Sequence, residues 1–283
     1  MRFDDRVTGR LDKYAKQAKI IHLDIDPSEI DKNVKTTVGI WGDCKESLPL
    51  LTELVDAKEH KEWIAKFHEY RQTEIDTLIY KELNPTGDKL TMGEVINQLN
   101  ILTEGNAVIV TDVGQHQMVT CRYAKFNQSN SNITSGGAGT MGFALPAAIG
   151  AKYGAPDRHV VAVIGDGGVQ MTIQELGTIM QCEVNVKIII LNNQYLGMVR
   201  QWQQLFHDKR YSFVDIGSPD YVMVAQGYGI KGKRVEDRKD IAPTLKEMLE
   251  HNGPYLLEVM VGKEDNVFPM VPQGCSVSEI RLS

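Results

Sequence analysis

From Leu90 onward the sequence alternates short, continuously apolar runs with segments of helical periodicity. The runs AVIV (107–110), HVVAVIG (159–165), NVKIIIL (185–191) and PYLLEVMV (254–261) lack polar alternation, so each needs cover on both faces. Between or beside them lie MGEVINQLNIL (92–102), FALPAAIGAKYG (143–154), TIQELGTIMQC (172–182), DYVMVAQGYG (220–229) and DIAPTLKEMLE (240–250), whose apolar residues recur at helical spacing. Strand-then-helix repetition of this kind predicts an α/β fold, a parallel sheet with helices on both faces. Ligands of such sheets sit beyond the C-terminal ends of the strands. The polar groups expected at that rim are Asp112 with Gly114 and Gln115, Asp166 with Gly167, and Asn192 with Asn193.

The first 55 residues read differently. KIIHLDIDPSEI (19–30) is a strand stopped by Asp26-Pro27, and TTVGIWGD (36–43) is a second short strand, which together make a partial Rossmann-like α/β segment over 1–55. Residues 56–84 are charge-dense, with Trp63, Ile64, Phe67, Tyr70, Ile75, Leu78 and Ile79 at helical spacing before Asn84-Pro85. They predict a helical linker whose apolar stripe docks on protein. Residues 85–283 form the ligand-holding domain.

Charge and cysteine usage exclude several classes. With 31 Lys and Arg against 37 Asp and Glu, the formal net charge is −6, so nothing favours a nucleic-acid partner. Cys44, Cys121, Cys182 and Cys275 have no C-x-x-C spacing, which predicts neither a zinc site nor a disulfide framework but the reduced thiols of a cytoplasmic chain. No apolar run approaches the roughly 20 residues that span a bilayer. GAGTMG (137–142) matches the dinucleotide fingerprint G-x-G-x-x-G, yet the preceding NQSNSNITS is too polar for the required strand, and Asp157 falls in the turn GAPDRH rather than at a strand end. These glycines are expected to clear space for some other cofactor.

VIGDGGVQ (163–170) and IILNNQYLG (189–197) carry the strongest chemical signal. Asp166 and Asn193 leave successive strands at one rim, and the 24 residues 168–191 leave room for one helix and one strand. A carboxylate and an amide oxygen suit a hard cation such as Mg2+, whose shell is commonly completed by phosphate oxygens. Gly165, Gly167 and Gly168 keep side chains away from backbone amides that could face the anion. Taken singly, Asp166 also fits a helix cap and Asn192-Asn193 an ordinary loop.

The GDG-to-NN spacing resembles the thiamine diphosphate motif. GQHQM (114–118), ITSGGAGTMGFALPAAIGA (133–151), GDGGVQMTIQEL (165–176) and LNNQYLGMVRQWQ (191–203), with RFDDRVTG (2–9) and IIHLDIDPSEI (20–30), resemble the catalytic large subunits of acetolactate (acetohydroxyacid) synthases. The resemblance implies a thiamine diphosphate-binding fold and a reaction of branched-chain amino-acid biosynthesis. In it pyruvate is decarboxylated and its two-carbon unit joined to a second pyruvate or to 2-oxobutyrate. Implied metal ligands are Asp166, Asn193 and the Tyr195 carbonyl. Gln115, His116 and Gly168 would lie near the phosphates, and Met141 would prop the cofactor in a bent form. Gln117, Gly139, Gly167, Met171, Leu196, Gly197 and Met198 would complete the cofactor lining, with Met198 and Trp202 shaping the pocket for the second substrate. Without the resemblance, Trp202 reads as core packing.

The same resemblance implies a homodimer or homotetramer, a possible small regulatory subunit, and FAD in full-length members. FAD contacts could map to Asp24 and Asp43, but two strands are not expected to hold a flavin. No complete catalytic set is expected here, because the family's ylide-promoting Glu comes from an N-terminal domain of the partner subunit that this sequence does not resemble. The chain reads as a C-terminal portion, inactive alone. Gly168 departs from the Ser usual after GDG, which predicts weaker diphosphate contacts. Two other readings stay open: another thiamine diphosphate-dependent 2-oxo acid enzyme, and a noncatalytic module that keeps the fold. The LPAAIGA helix serves either an oligomer contact or internal packing.

Overall fold

KIIHLDID and TTVGIWGD yield two parallel strands, β1 (Ile21–Asp24) and β2 (Val38–Trp41), paired from Ile21↔Val38 to Asp24↔Trp41. This is a computed structural model describing residues 3–283. The pair belongs to a first unit that runs to Leu78 and includes Phe268–Ser283; Ile79–Val267 form a second. Asp43 ends the β2 connection by accepting from Lys45 N at 2.8 Å, and so caps α1 (Cys44–Glu53). The charge-dense stretch contains α2 (Lys61–Glu74), followed by a π-helical turn, Ile75–Ile79, and a last helical turn, Tyr80–Leu83.

The second unit opens with α3 (Met92–Thr103), started by a capping box in which Thr91 and Glu94 exchange side-chain-to-backbone hydrogen bonds of 3.1 Å. In chain order there follow β3 (Val108–Thr111), α4 (Gln115–Tyr123), β4 (Asn132–Thr134) and α5 (Ala144–Gly154). Next come β5 (Val160–Gly165), α6 (Asp166–Met171), α7 (Glu175–Gln181), β6 (Lys187–Asn192) and α8 (Gly197–Phe206). The unit closes with α9 (Tyr221–Gly227), β7 (Lys231–Val235), α10 (Ile241–Glu250) and β8 (Tyr255–Met260). The six strands form one wholly parallel sheet in the order β4-β3-β5-β6-β8-β7.

Strand side chains alternate between two cores, as a pleat requires. Ile109, Val161, Val163, Ile189, Leu191 and Leu257 meet α3, α4 and α10 on one face. Val110, Ala162, Ile164, Ile188 and Ile190 meet α5, α7 and α9 on the other. The small-residue helix α5 buries Ala144, Leu145, Ala148 and Ile149 in this second core, so those residues serve internal packing. The chain pairs β4 on one side of β3 and returns to β5 on the other, which places a topological switch point between β3 and β5.

The structure corrects one expectation. The polar stretch before SGGAGTMG does contain a strand, β4, held at the sheet edge by backbone pairing to β3 and by Thr111 Oγ1 donating to Thr134 Oγ1 at 3.0 Å. Edge pairing needs no apolar run, since backbone groups supply it. Residues 135–143 then run as turns until α5 begins at Ala144, whereas a dinucleotide fingerprint opens its helix on the glycines themselves.

Candidate functional site

Strands β3, β5 and β6 end side by side, and each hands its next polar residue to the same rim: Asp112, Asp166 and Asn193. A cleft of about 640 Å³, including its solvent-filled mouth, opens there. Gln115, His116 and Met141 line it together with Asp166, Gly167 and Gly168. Tyr195, Leu196, Gly197 and Met198 close it beside Asn193.

Four of the expected residues lie elsewhere. Gln117 turns to the sheet edge, where its Nε2 donates to Thr134 Oγ1 at 2.7 Å. Gly139 occupies a left-handed turn (φ 67°) with open space around it, and Met171 is exposed. Trp202 is more than one-third exposed, not a core residue, and pairs with Phe206 at 4.9 Å between ring centres. It lines a shallower hollow with Gln203, His207 and Arg210, which shares Val199 with the main cleft.

Asp166 opens α6 directly and is buried, and that burial pushes its carboxyl up to about 6. Ser218 donates to its Oδ2 at 3.2 Å and the Tyr221 hydroxyl to its carbonyl at 2.8 Å. A carboxylate stripped of water favours a cation beside it, and Asn193 and Tyr195 on the facing wall offer neutral oxygens. Among the described residues no group of three or more His, Cys, Asp and Glu side chains could hold a metal. A hard cation at Asp166 would therefore rely on amide and carbonyl oxygens and on oxygens from its ligand, the donor set expected for Mg2+ with a diphosphate. The residues present fit that group. Ser218 and Tyr221 lie more than 50 positions from Asp166, and no local pattern in the sequence marks them.

Asp112 is fully buried and supports the cleft from behind His116 and Met141. Its Oδ1 meets His116 Nε2, and its Oδ2 accepts from Gly142 N at 2.8 Å. The carboxylate thereby holds both the imidazole and the turn that carries Met141. A Cβ at Gly168 would overlap Asp112 Oδ2, so a side chain there would have to displace the carboxylate. His116 is itself packed against Gly114 and Gly165, where added Cβ atoms would stand 2.8 Å and 2.9 Å from the ring.

The LGMVRQW stretch also gains a physical reading. Arg200 is fully buried and donates to Glu264 O at 3.2 Å and Asn266 Oδ1 at 3.0 Å. Gln201, likewise buried, bonds both backbone groups of Val267. The pair clamps residues 264–267 onto α8. No local pattern in the sequence marks that role.

These features define a doubly wound α/β protein with a cleft at its switch point whose buried carboxylate suits a cation. Comparison with known proteins then identifies which. Residues 112–259 match the thiamine pyrophosphate enzyme C-terminal TPP binding domain, and residues 1–51 match the central domain of the same enzymes. The chain belongs to the thiamine pyrophosphate enzyme family. It is 40% identical over 283 residues to the acetolactate synthase isozyme 2 large subunit of Escherichia coli, covering 99% of this chain and 50% of that protein. Acetolactate synthase 1, chloroplastic, of Nicotiana tabacum is 41% identical over 290 residues (99% of this chain, 43% of the relative). The acetolactate synthase large subunit of Lactococcus lactis is 39% identical over 282 (99% and 48%). The chain thus spans about half the length of these relatives.

Proposed function

We propose that this chain is the diphosphate-holding part of an acetolactate synthase large subunit, acting on pyruvate and a second 2-oxo acid, pyruvate or 2-oxobutyrate, in branched-chain amino-acid biosynthesis. The observation that carries the reading is the meeting of buried Asp166 with Asn193 and Tyr195 on one cleft. The large-subunit relatives, about 40% identical along 99% of the chain, point the same way.

When bound, thiamine diphosphate supplies the electron sink for decarboxylation, while protein groups orient and shield it. Asp166, the Asn193 side-chain oxygen and the Tyr195 carbonyl would hold Mg2+, and the cation would hold the diphosphate. Met141, fixed through the Gly142 amide, gives the cofactor an apolar support. Met198 lines the cleft and Trp202 the adjoining hollow, positions from which they would select the second substrate. An apolar wall of this kind discriminates one methylene by about 1–3 kcal/mol.

The proton-handling carboxylate of the reaction would come from a partner subunit. Assembly as a homodimer or homotetramer with completed sites, a regulatory subunit and a cytoplasmic location belong to the same proposal, as do residues 85–283 as the cofactor domain. The chain itself offers little to FAD: Asp43 is committed to capping α1, and Asp24 Oδ1 accepts from Asp26 N at 3.0 Å. Among the described residues no helix is long and apolar enough to cross a membrane.

Calorimetric titration with thiamine diphosphate tests the site. Binding should require Mg2+ and be lost in Asp166→Ala. Metal-dependent binding that survives the substitution would overturn the assignment, and acetolactate formation by the 283-residue chain alone would refute the external carboxylate.

A further inference from the structure

Asn193 can serve a cation only if its amide oxygen, not its nitrogen, faces the site, and an amide has no intrinsic preference between the two orientations. The Tyr195 N–H, which can only donate, turns the oxygen one way at 3.1 Å, and a buried relay holds the other end of the amide. Val267 presents both backbone groups to Gln201: its N–H donates to Gln201 Oε1 at 2.9 Å, and its carbonyl accepts from Gln201 Nε2 at 3.1 Å. A backbone N–H can only donate and a carbonyl can only accept, so the Gln201 amide has one permitted orientation.

That orientation propagates. Gln201 Oε1 accepts from Gln115 Nε2 at 2.8 Å, and the same nitrogen donates to the Asp265 carbonyl at 2.8 Å, so Gln115 is fixed with its oxygen turned the other way. Gln115 Oε1 then accepts from Asn193 Nδ2 at 3.2 Å. Asn193 Oδ1 accepts from Tyr195 N at 3.1 Å and keeps a second lone pair. The three side chains are buried, so a lost hydrogen bond in the relay is costly. Gly197 is part of the arrangement, since a Cβ there would overlap Gln115 Oε1 and stand 2.8 Å from Asn193 Nδ2.

We propose that Gln201, acting through Gln115, is a positioning residue that holds the Asn193 amide, whose direction the Tyr195 N–H sets, in one place, and thereby gives the site its preference for a small octahedral cation. The inference rests on Asn193 being a cation ligand, as proposed above. Mg2+ demands near-ideal octahedral geometry, whereas Ca2+ accepts irregular shells. Loosening an outer partner of a ligand typically costs 10–100-fold in metal affinity. A loosened Asn193 should therefore cost Mg2+ more than Ca2+, which general destabilisation would not do.

The test is calorimetric titration of the 283-residue chain with Mg2+, and separately with Ca2+, in saturating thiamine diphosphate. The proteins compared are the unsubstituted chain, Gln201→Met and Asp166→Asn, each with its thermal midpoint measured. In Gln201→Met the Mg2+ needed for half-saturation should rise about ten-fold and the Ca2+ requirement less than about three-fold. Asp166→Asn should weaken both cations alike. Should Gln201→Met fail to fold, Gly197→Ala presses on the same relay from a helical position that favours Ala, and it should shift the Mg2+/Ca2+ ratio in the same direction. An unchanged Mg2+ requirement, or equal losses for both cations, overturns the relay while leaving the site intact. Absence of cation-dependent binding in the unsubstituted chain overturns the site and the relay with it.

Discussion

The two units use the same kind of element, a short parallel strand followed by a helix, with opposite results for burial. In the second unit β5, β6 and β8 have strands on both sides and helices on both faces, and Ile189 in β6 is 0% exposed. In the first unit, among the described residues, β1 and β2 have only each other, Trp41 is 72% exposed, and α1 buries no residue. Parallel strands become rigid through cover rather than through their own pairing. The second unit can hold a chemically exacting site because its strand ends are fixed from every side, and the first has no such frame within itself.

The largest expected effect breaks that frame directly. Ile189→Ala should lower unfolding stability by about 2–5 kcal/mol, because the cavity lies where no side chain can collapse into it. Trp41→Ala removes a larger side chain yet should change stability by no more than about 0.5 kcal/mol, since the ring already meets solvent. Urea unfolding of both variants checks the pair. Comparable losses would mean that Trp41 is covered in solution.

Acidic groups sharpen the contrast through pH. In the first unit Asp31 is held below the usual carboxylate range by the Thr36 backbone N–H and hydroxyl. Asp166 in the second is pushed up to about 6 by burial. A folded-state pKa above the unfolded value means that the folded chain holds the proton more tightly. The stability contribution from Asp166 is therefore complete below about 3.8 and lost as pH rises through about 6. The full loss is of order 3 kcal/mol, at 1.36 kcal/mol per unit. Asp166→Asn should reduce this slope in cation-free protein, leaving the part that buried Glu82 and Asp265 contribute in the same direction, as read by unfolding at stepped pH between 4 and 7. An unchanged slope would assign it to another group.

How much of this was legible in the sequence follows from the same contrast. AVIV, VVAVI and KIIIL announce strands because two-sided burial demands continuous apolar runs. The edge strands β4 (NIT) and β7 (KGKRV) do not, since one neighbour and backbone pairing suffice for them, and charged residues suit an edge. Asp166 and Asn193 were legible because each follows its strand immediately and the chain brings successive strands together. Ser218, Gln201 and Asp112 act through side-chain geometry across the fold, which spacing along the chain does not encode. Asp112 was visible as a rim residue, but its hold on His116 and Gly142 was not.

The smallest effect concerns glycines and separates fixed backbone from free backbone inside the second unit. Gly168 and Gly137 both belong to glycine-rich stretches of the cofactor motifs, yet their surroundings differ. A Cβ at Gly168 meets the buried Asp112 carboxylate, whereas a Cβ at Gly137 meets nothing within 4 Å. Gly168→Ala should cost about 1–3 kcal/mol, the usual range for overpacking, because Asp112 can yield only by giving up His116 or the Gly142 amide. Gly137→Ala should stay within about 0.5 kcal/mol. Thermal unfolding of the cation-free variants measures both. Equal effects would show that Asp112 moves freely, and the wall that carries His116 and Met141 would then be far less rigid than its hydrogen bonds require.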